Sequence, residues 1–320
     1  MFTIETRQIG PIEGTHTLTD YILTNDDTGE WATILPERGG ILRQLVLRKG
    51  DTRYTLISSP GSAQALLADE TYASALMYPF PSRVRHGIYR FGGDDHVLAI
   101  NEPMRENALH GFVHPKAFQV VQQETDLYGA ALTIQYDYEG DVPGYPFPFA
   151  LTVTYTLTSS GLSLAFRAVN TGTTPCPAAF GWHPYFTLNN APTDELQLTL
   201  PTETEITLDE QMIPTGQRPL AADRLGTFSL KDVQLDTPYL ARKDSESRIR
   251  TMLSWPAERV SLEVEQSASM PYVVVYTPAR RDSIAIEPQT ANVNAFNNGE
   301  GLVLLNPGEQ LEGQISVRLR

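Results

Sequence analysis

The sequence predicts an all-β protein, a large antiparallel β-sandwich with few and short helices. Three observations lead there: apolar and polar residues alternate in many short runs, Gly and Asp punctuate the intervals, and helical periodicity is scarce. A period of two marks a strand with one buried face, and many such strands without helices must stack as sheets or close into a barrel. No shift in composition or Gly/Ser linker divides the 320 residues, so one domain spanning residues 1–320 is expected.

The strands are expected in "HTLTDYILT", "GILRQLVLR", "FQVVQQET", "ALTIQYDY", "FALTVTYTLT", "LSLAFRAVN", "LQLTL", "RVSLEVEQ", "YVVVYTP" and "GQISVRLR". Between them, "TLTSSGLSL" and "YRFGGDDHVL" carry the Gly and Asp that supply positive φ in tight turns, which predicts antiparallel hairpins. The best helical candidate is short and lies within "GSAQALLADETYASAL".

Composition narrows the partners. A net charge of -14 and no Lys/Arg cluster argue against nucleic acid, whose phosphates demand basic surface, and favour a neutral small molecule. Cys176 is the single cysteine, so no internal disulfide forms and a reducing compartment is favoured. The start "MFTIETRQIG" lacks the basic and apolar segments of a signal peptide, and no apolar run is long enough to span a bilayer. A cytoplasmic location without membrane attachment is the expectation.

Of six histidines, His86, His96, His110 and His114 cluster early and His183 stands later. His110 and His114 have the four-residue separation of a helical metal pair, but Gly111 and Pro115 speak against a helix there, so no metal is expected. His110 in "ALHGFV" and His183 in "FGWHPYF" are set among small and aromatic neighbours. Glu287 follows an apolar strand in "SIAIEPQT" and precedes a proline, which reads as a strand end carrying either a rim charge or a positioned base. Whether Trp182 and Tyr185 pack in the core or face a ligand stays open at this level.

Taken together, "YPFPSRVRHGIYRFGG", "NEPMRENALHGFVH", "GYPFPFALTVTYTL" with "GWHPYFTL", and "IAIEPQTANVNAFNNGEGLVLLNPGEQLEG" resemble the aldose 1-epimerase (galactose mutarotase) family, in its order and from about residue 78 onward. The resemblance implies a mutarotase-type supersandwich that interconverts the anomers of a free aldohexose without a cofactor. It further implies Glu287 as general base, His183 as general acid, His110 as a residue positioning the sugar ring and its oxygen, and Arg83 and Asp236 as binders of hydroxyls. Ser82 stands where the family often has Asn, which leaves the preferred sugar open.

Anomer exchange needs one base for the C1 hydroxyl and one acid for the ring oxygen. At ordinary values Glu287 would already be ionised at neutral pH, whereas His183 would need nearby negative charge to hold its proton. Two other readings compete: a non-catalytic sugar-binding sandwich, and a hexose-phosphate mutarotase drawing on Arg83, Arg85 and Arg90. A glycoside hydrolase would need two carboxylates where these segments offer one with histidines.

Overall fold

The alternating runs form strands, and the strands gather into three large antiparallel sheets. The computed structural model describes residues 1–12 and 16–320. Among these, a nine-stranded sheet is ordered Gln119–Thr125, Gly129–Tyr138, Phe149–Thr158, Gly161–Asn170, Gln310–Leu319, Val260–Gln266, Ile249–Trp255, Gln197–Thr199, Thr227–Ser229. Phe149–Thr158 shows how the pattern works: Phe149, Leu151, Val153, Tyr155 and Leu157 are fully buried, while the residues between them are half exposed. The hairpin into Gly161–Asn170 turns at the Ser-Ser-Gly segment, as expected, and that of Ile88–Phe91 with Asp94–Val97 turns at Gly92 and Gly93, both at positive φ.

A five-stranded sheet runs in chain order from Phe2–Ile12 to Thr52–Thr55. A six-stranded sheet is ordered Asp236–Leu240, Tyr272–Tyr276, Ile284–Gln289, Gly181–His183, Ala75–Met77, with Tyr185–Phe186 also paired to Ile284–Gln289. These two sheets are stitched together where Ile57 bridges Phe186 and Thr187 donates to the Leu56 carbonyl at 3.0 Å. The main core is shared with the nine-stranded sheet, as the stacked rings of Phe166 and Phe180, 3.7 Å apart, illustrate. The arrangement is a β-sandwich, as the alternation predicts.

One local feature refines an expectation and another corrects one. The helix within "GSAQALLADETYASAL" covers only Ala63–Leu67, capped by the Ser62 hydroxyl on the Ala65 N–H at 3.1 Å. It stops because the Asp69 carboxylate accepts from the Thr71 and Ala73 N–H groups, both at 3.1 Å, offering the backbone an alternative to the next helical turn. Tyr72 and Ser74 then adopt positive φ and the chain re-enters a sheet at Ala75. Nor does the strand carrying Glu287 end before its proline: Ile284–Gln289 runs through, with Pro288 opposite Val273. The flanking pairs, Glu287 with Val274 and Gln289 with Tyr272, keep the register despite the missing N–H.

Candidate active site

The register of the six-stranded sheet assembles the candidate residues. Gly181 lies opposite Gln289 and Tyr185 opposite Ala285, which brings His183 level with Glu287 on the neighbouring strand. Because side chains alternate, Trp182 and Phe186 point into the core with Ile284 and Ile286, while His183 and Tyr185 share the other face with Ala285 and Glu287. Trp182 is therefore a core residue. On that same face, Asp236 sits opposite Tyr276, one row from Glu287.

The result is a direct contact: His183 Nε2 stands 3.3 Å from Glu287 Oε1, with the two side chains only 6% and 2% exposed. His110 meets His183 edge-on with ring centroids 5.2 Å apart, and the Tyr185 ring lies 5.0 Å from that of His183. The Ser82 N–H donates to His110 Nδ1 at 3.1 Å, and the His110 N–H donates to the Ser82 carbonyl at 2.8 Å. A backbone N–H only donates, so Nδ1 is an acceptor and the neutral ring carries its proton on Nε2. His110 is thereby set up as a hydrogen-bond donor. It holds a positive φ and is followed by Gly111, where an added Cβ would collide with the Tyr78 carbonyl oxygen.

Burial governs the electrostatics. It pushes the Glu287 carboxyl well above its ordinary value, and the neighbouring Asp236 charge adds to this, while Arg83 and the Gln289 amide oppose it. Burial also lowers His183 to about 4 and His110 well below the usual imidazole value, the latter with help from His183 and Arg83. Asp236 is raised by burial as well. This corrects the expectation that Glu287 keeps an ordinary carboxylate value and that neighbouring charge raises His183: removal from water outweighs the neighbours in both cases.

Arg83 is held by an ion pair. Its Nε and Nη2 donate to the two oxygens of Glu102, both at 2.9 Å, in a bidentate pair that is nearly buried. Glu102 in turn accepts from Arg105 Nη1 at 2.8 Å and Asn107 Nδ2 at 3.1 Å. Among the described residues, Arg83 Nη1 has no hydrogen-bond partner. Arg85 pairs with Asp209 and Arg90 with Asp95, so the arginines near the site arrive already compensated.

Sequence reasoning missed Glu102, Tyr72 and Gln289. Nothing in the spacing links Glu102 to Arg83. Tyr72 lies in the segment read as helical, and its ring packs edge-on against His110 at 4.8 Å. Gln289 had a usable signal: two positions after Glu287 on a strand puts it on the same face. A cleft of about 740 Å³ opens beside the cluster, lined by Tyr185, Tyr276, Asp69 and Asp282 among others, a size within the usual range for small-molecule sites. Tyr185 is the residue that the cleft and the His183–Glu287 pair have in common.

Similarity to known proteins converges on one family. A family model described as aldose 1-epimerase matches residues 21–318. The chain is 29% identical over 237 residues to an uncharacterized Escherichia coli protein, YihR, covering 73% of this chain and 75% of that one. It is 27% identical over 157 residues to the galactose mutarotase of Homo sapiens, covering 48% of this chain and 44% of the relative, less than half the relative's length. The fold matches that of a galactose mutarotase-like protein from Clostridium acetobutylicum with a TM-score of 0.86 at 18% identity, covering 99% of this chain and 98% of the other. It matches a galactose 1-epimerase from Lactobacillus acidophilus with a TM-score of 0.83 at 19% identity, covering 99% of each chain. From the strand order to the matched span, the chain belongs to the aldose 1-epimerase family.

Proposed function

We propose that the protein is a mutarotase that interconverts the α and β anomers of a free aldose by opening and reclosing the sugar ring. The observation that carries this reading is the His183 Nε2 to Glu287 Oε1 contact of 3.3 Å on one face of a sheet. The two oxygens to be served, the C1 hydroxyl and the ring oxygen, are bonded to one carbon. A base and an acid on adjacent strands, about 4.8 Å apart, are suitably placed to reach both.

Glu287 takes the C1 hydroxyl proton while His183 delivers one to the ring oxygen; the ring opens, the C1–C2 bond rotates, and the reverse transfers close it on the other face. His110 donates from Nε2 to hold the ring, and Arg83 and Asp236 bind hydroxyls. The pair shares a single exchangeable proton throughout. With that proton on His183 it is an ion pair ready for ring opening, and with it on Glu287 it matches the ring-opened state. Burial favours the second, uncharged form, since it raises Glu287 and lowers His183. Sugar hydroxyls, by hydrogen-bonding the charged form, bring the first within reach.

Freshly dissolved α-D-glucose and α-D-galactose, followed by polarimetry, test the reading. Glu287→Gln is expected to slow equilibration by about 10² to 10⁴-fold. A variant as fast as the parent would remove Glu287 from the mechanism, and sugar binding by calorimetry without rate enhancement would point to a binding protein. The dependence of kcat/KM on pH is expected to be bell-shaped. It falls on the acid side near 4, where the pair gains a second proton, and on the alkaline side well above 4.5, where it loses its only one. An acid limb at the ordinary imidazole value of about 6.5 would refute the one-proton pair. A sugar phosphate is the weaker candidate, because Arg83, Arg85 and Arg90 each already face a carboxylate.

A further inference from the structure

We propose that Gln289 and Ser82 are positioning residues for this reaction, forming a buried relay that fixes which oxygen of Glu287 faces His183 and ties that carboxylate to His110. The inference rests on the mutarotase reading of the site. Gln289 is fully buried and Ser82 nearly so, so their polar atoms must find partners inside the protein. Gln289 Nε2 donates to Glu287 Oε2 at 3.1 Å, and the Ser82 hydroxyl donates to Gln289 Oε1 at 3.2 Å. Ser82 then reaches His110 through its own backbone, at Nδ1.

The donor and acceptor rules give this chain a direction. An amide nitrogen only donates and a carboxylate only accepts, so the base form of Glu287 requires the nitrogen of Gln289 toward it. The amide oxygen then points away and needs a donor, which the Ser82 hydroxyl supplies. Turned around, Gln289 would set its oxygen against a carboxylate oxygen. Glu287 Oε2 is thereby occupied, and Oε1 is left to His183 and the sugar. The same bond favours the ionised carboxylate against the pull of burial. Packing holds the amide in place, since Gly181 lies opposite Gln289 and a Cβ there would come within 3.2 Å of Gln289 Cγ and 2.8 Å of Pro81 Cβ.

The test compares Gln289→Leu and Ser82→Ala with the parent, each as the full chain. Polarimetry on α-D-galactose across the pH range gives kcat and KM, and thermal unfolding gives Tm. Gln289→Leu is expected to lower kcat by about tenfold or more, since a hydrogen bond to a charged group is lost, with KM nearly unchanged. Its alkaline limb should move upward by about one pH unit, because the carboxylate loses a donor that favours its ionised form. Ser82→Ala keeps the backbone bond to His110 and frees only the amide, so the same shift appears at about a third of the size. A fall in kcat without movement of the limb means a merely structural role and overturns the proposal, as does parental behaviour in both variants. If Gln289→Leu fails to fold, Ser82→Ala alone decides. Should Glu287→Gln be inactive while both relay variants behave as the parent, only the relay fails; should Glu287→Gln be fully active, the reading of the site fails.

Discussion

The two faces of the six-stranded sheet are made by the same strands, residue by residue in alternation, and both are buried; they differ in what covers them. Trp182, Phe186, Ile284 and Ile286 face the shared apolar core and have no accessible surface. Their neighbours His183, Tyr185 and Glu287 are covered by polar groups: Gln289 on Glu287, the His110 ring on His183, and the Thr71 carbonyl, which accepts from the Tyr185 hydroxyl at 3.0 Å. On one face loss of water stabilises the fold, by about 1.5–3 kcal/mol for each large apolar side chain. On the other it raises a carboxyl and lowers two imidazoles, which is what a proton-exchanging pair requires.

Breaking the comparison on the core face should have the largest effect on stability. Trp182→Ala is expected to cost about 3–5 kcal/mol, measured by denaturant unfolding. Loss of less than about 1 kcal/mol would mean that Trp182 is not part of a close-packed core.

An intermediate effect is expected at Gly111, which links the faces because its backbone abuts Tyr78 and sets the direction of His110. Gly111→Ala meets both a positive φ and the Tyr78 carbonyl, so a destabilisation of about 1–3 kcal/mol should accompany a fall in kcat/KM. Parental kcat/KM in that variant would show that His110 does not depend on the bend.

The smallest effect, and the sharpest, concerns the stability of Glu287→Gln. A carboxyl whose folded value lies above its unfolded one contributes stability that is present below 4.5 and is lost as pH rises through the folded value. The neutral Gln escapes that loss. The variant should therefore match the parent in acid and unfold at a higher temperature at neutral pH, even as it loses activity. A lower Tm at neutral pH would show that the ionised carboxylate stabilises the fold.

How much of this was legible varied by element. Alternation located the long strands, since one buried face imposes a period of two, and Phe149–Thr158 follows it without exception. The short helix lies within the segment singled out for it and stops ahead of Asp69, whose side chain ends it through bonds that no periodicity reveals. His183, His110 and Glu287 stood out through their neighbours and the family resemblance, and the structure brings all three together. Arg83 was singled out by the family resemblance, but its pairing with Glu102, nineteen positions on, was not legible. Gln289 was hidden by Pro288, which read as the end of a strand that in fact continues.

By itself the sequence determined the strand pattern, the direction in which each side chain leaves its strand, and the identities of an imidazole and a carboxylate fit for proton exchange. These follow from local stereochemistry, because a pleated chain sends neighbours to opposite faces wherever it lies. Only the tertiary structure decided that His183 and Glu287 come level, which oxygen Gln289 occupies, and the direction in which each titrating group shifts. Those depend on strand register and on how completely neighbouring segments exclude water, both of which are properties of contacts between positions far apart in the chain.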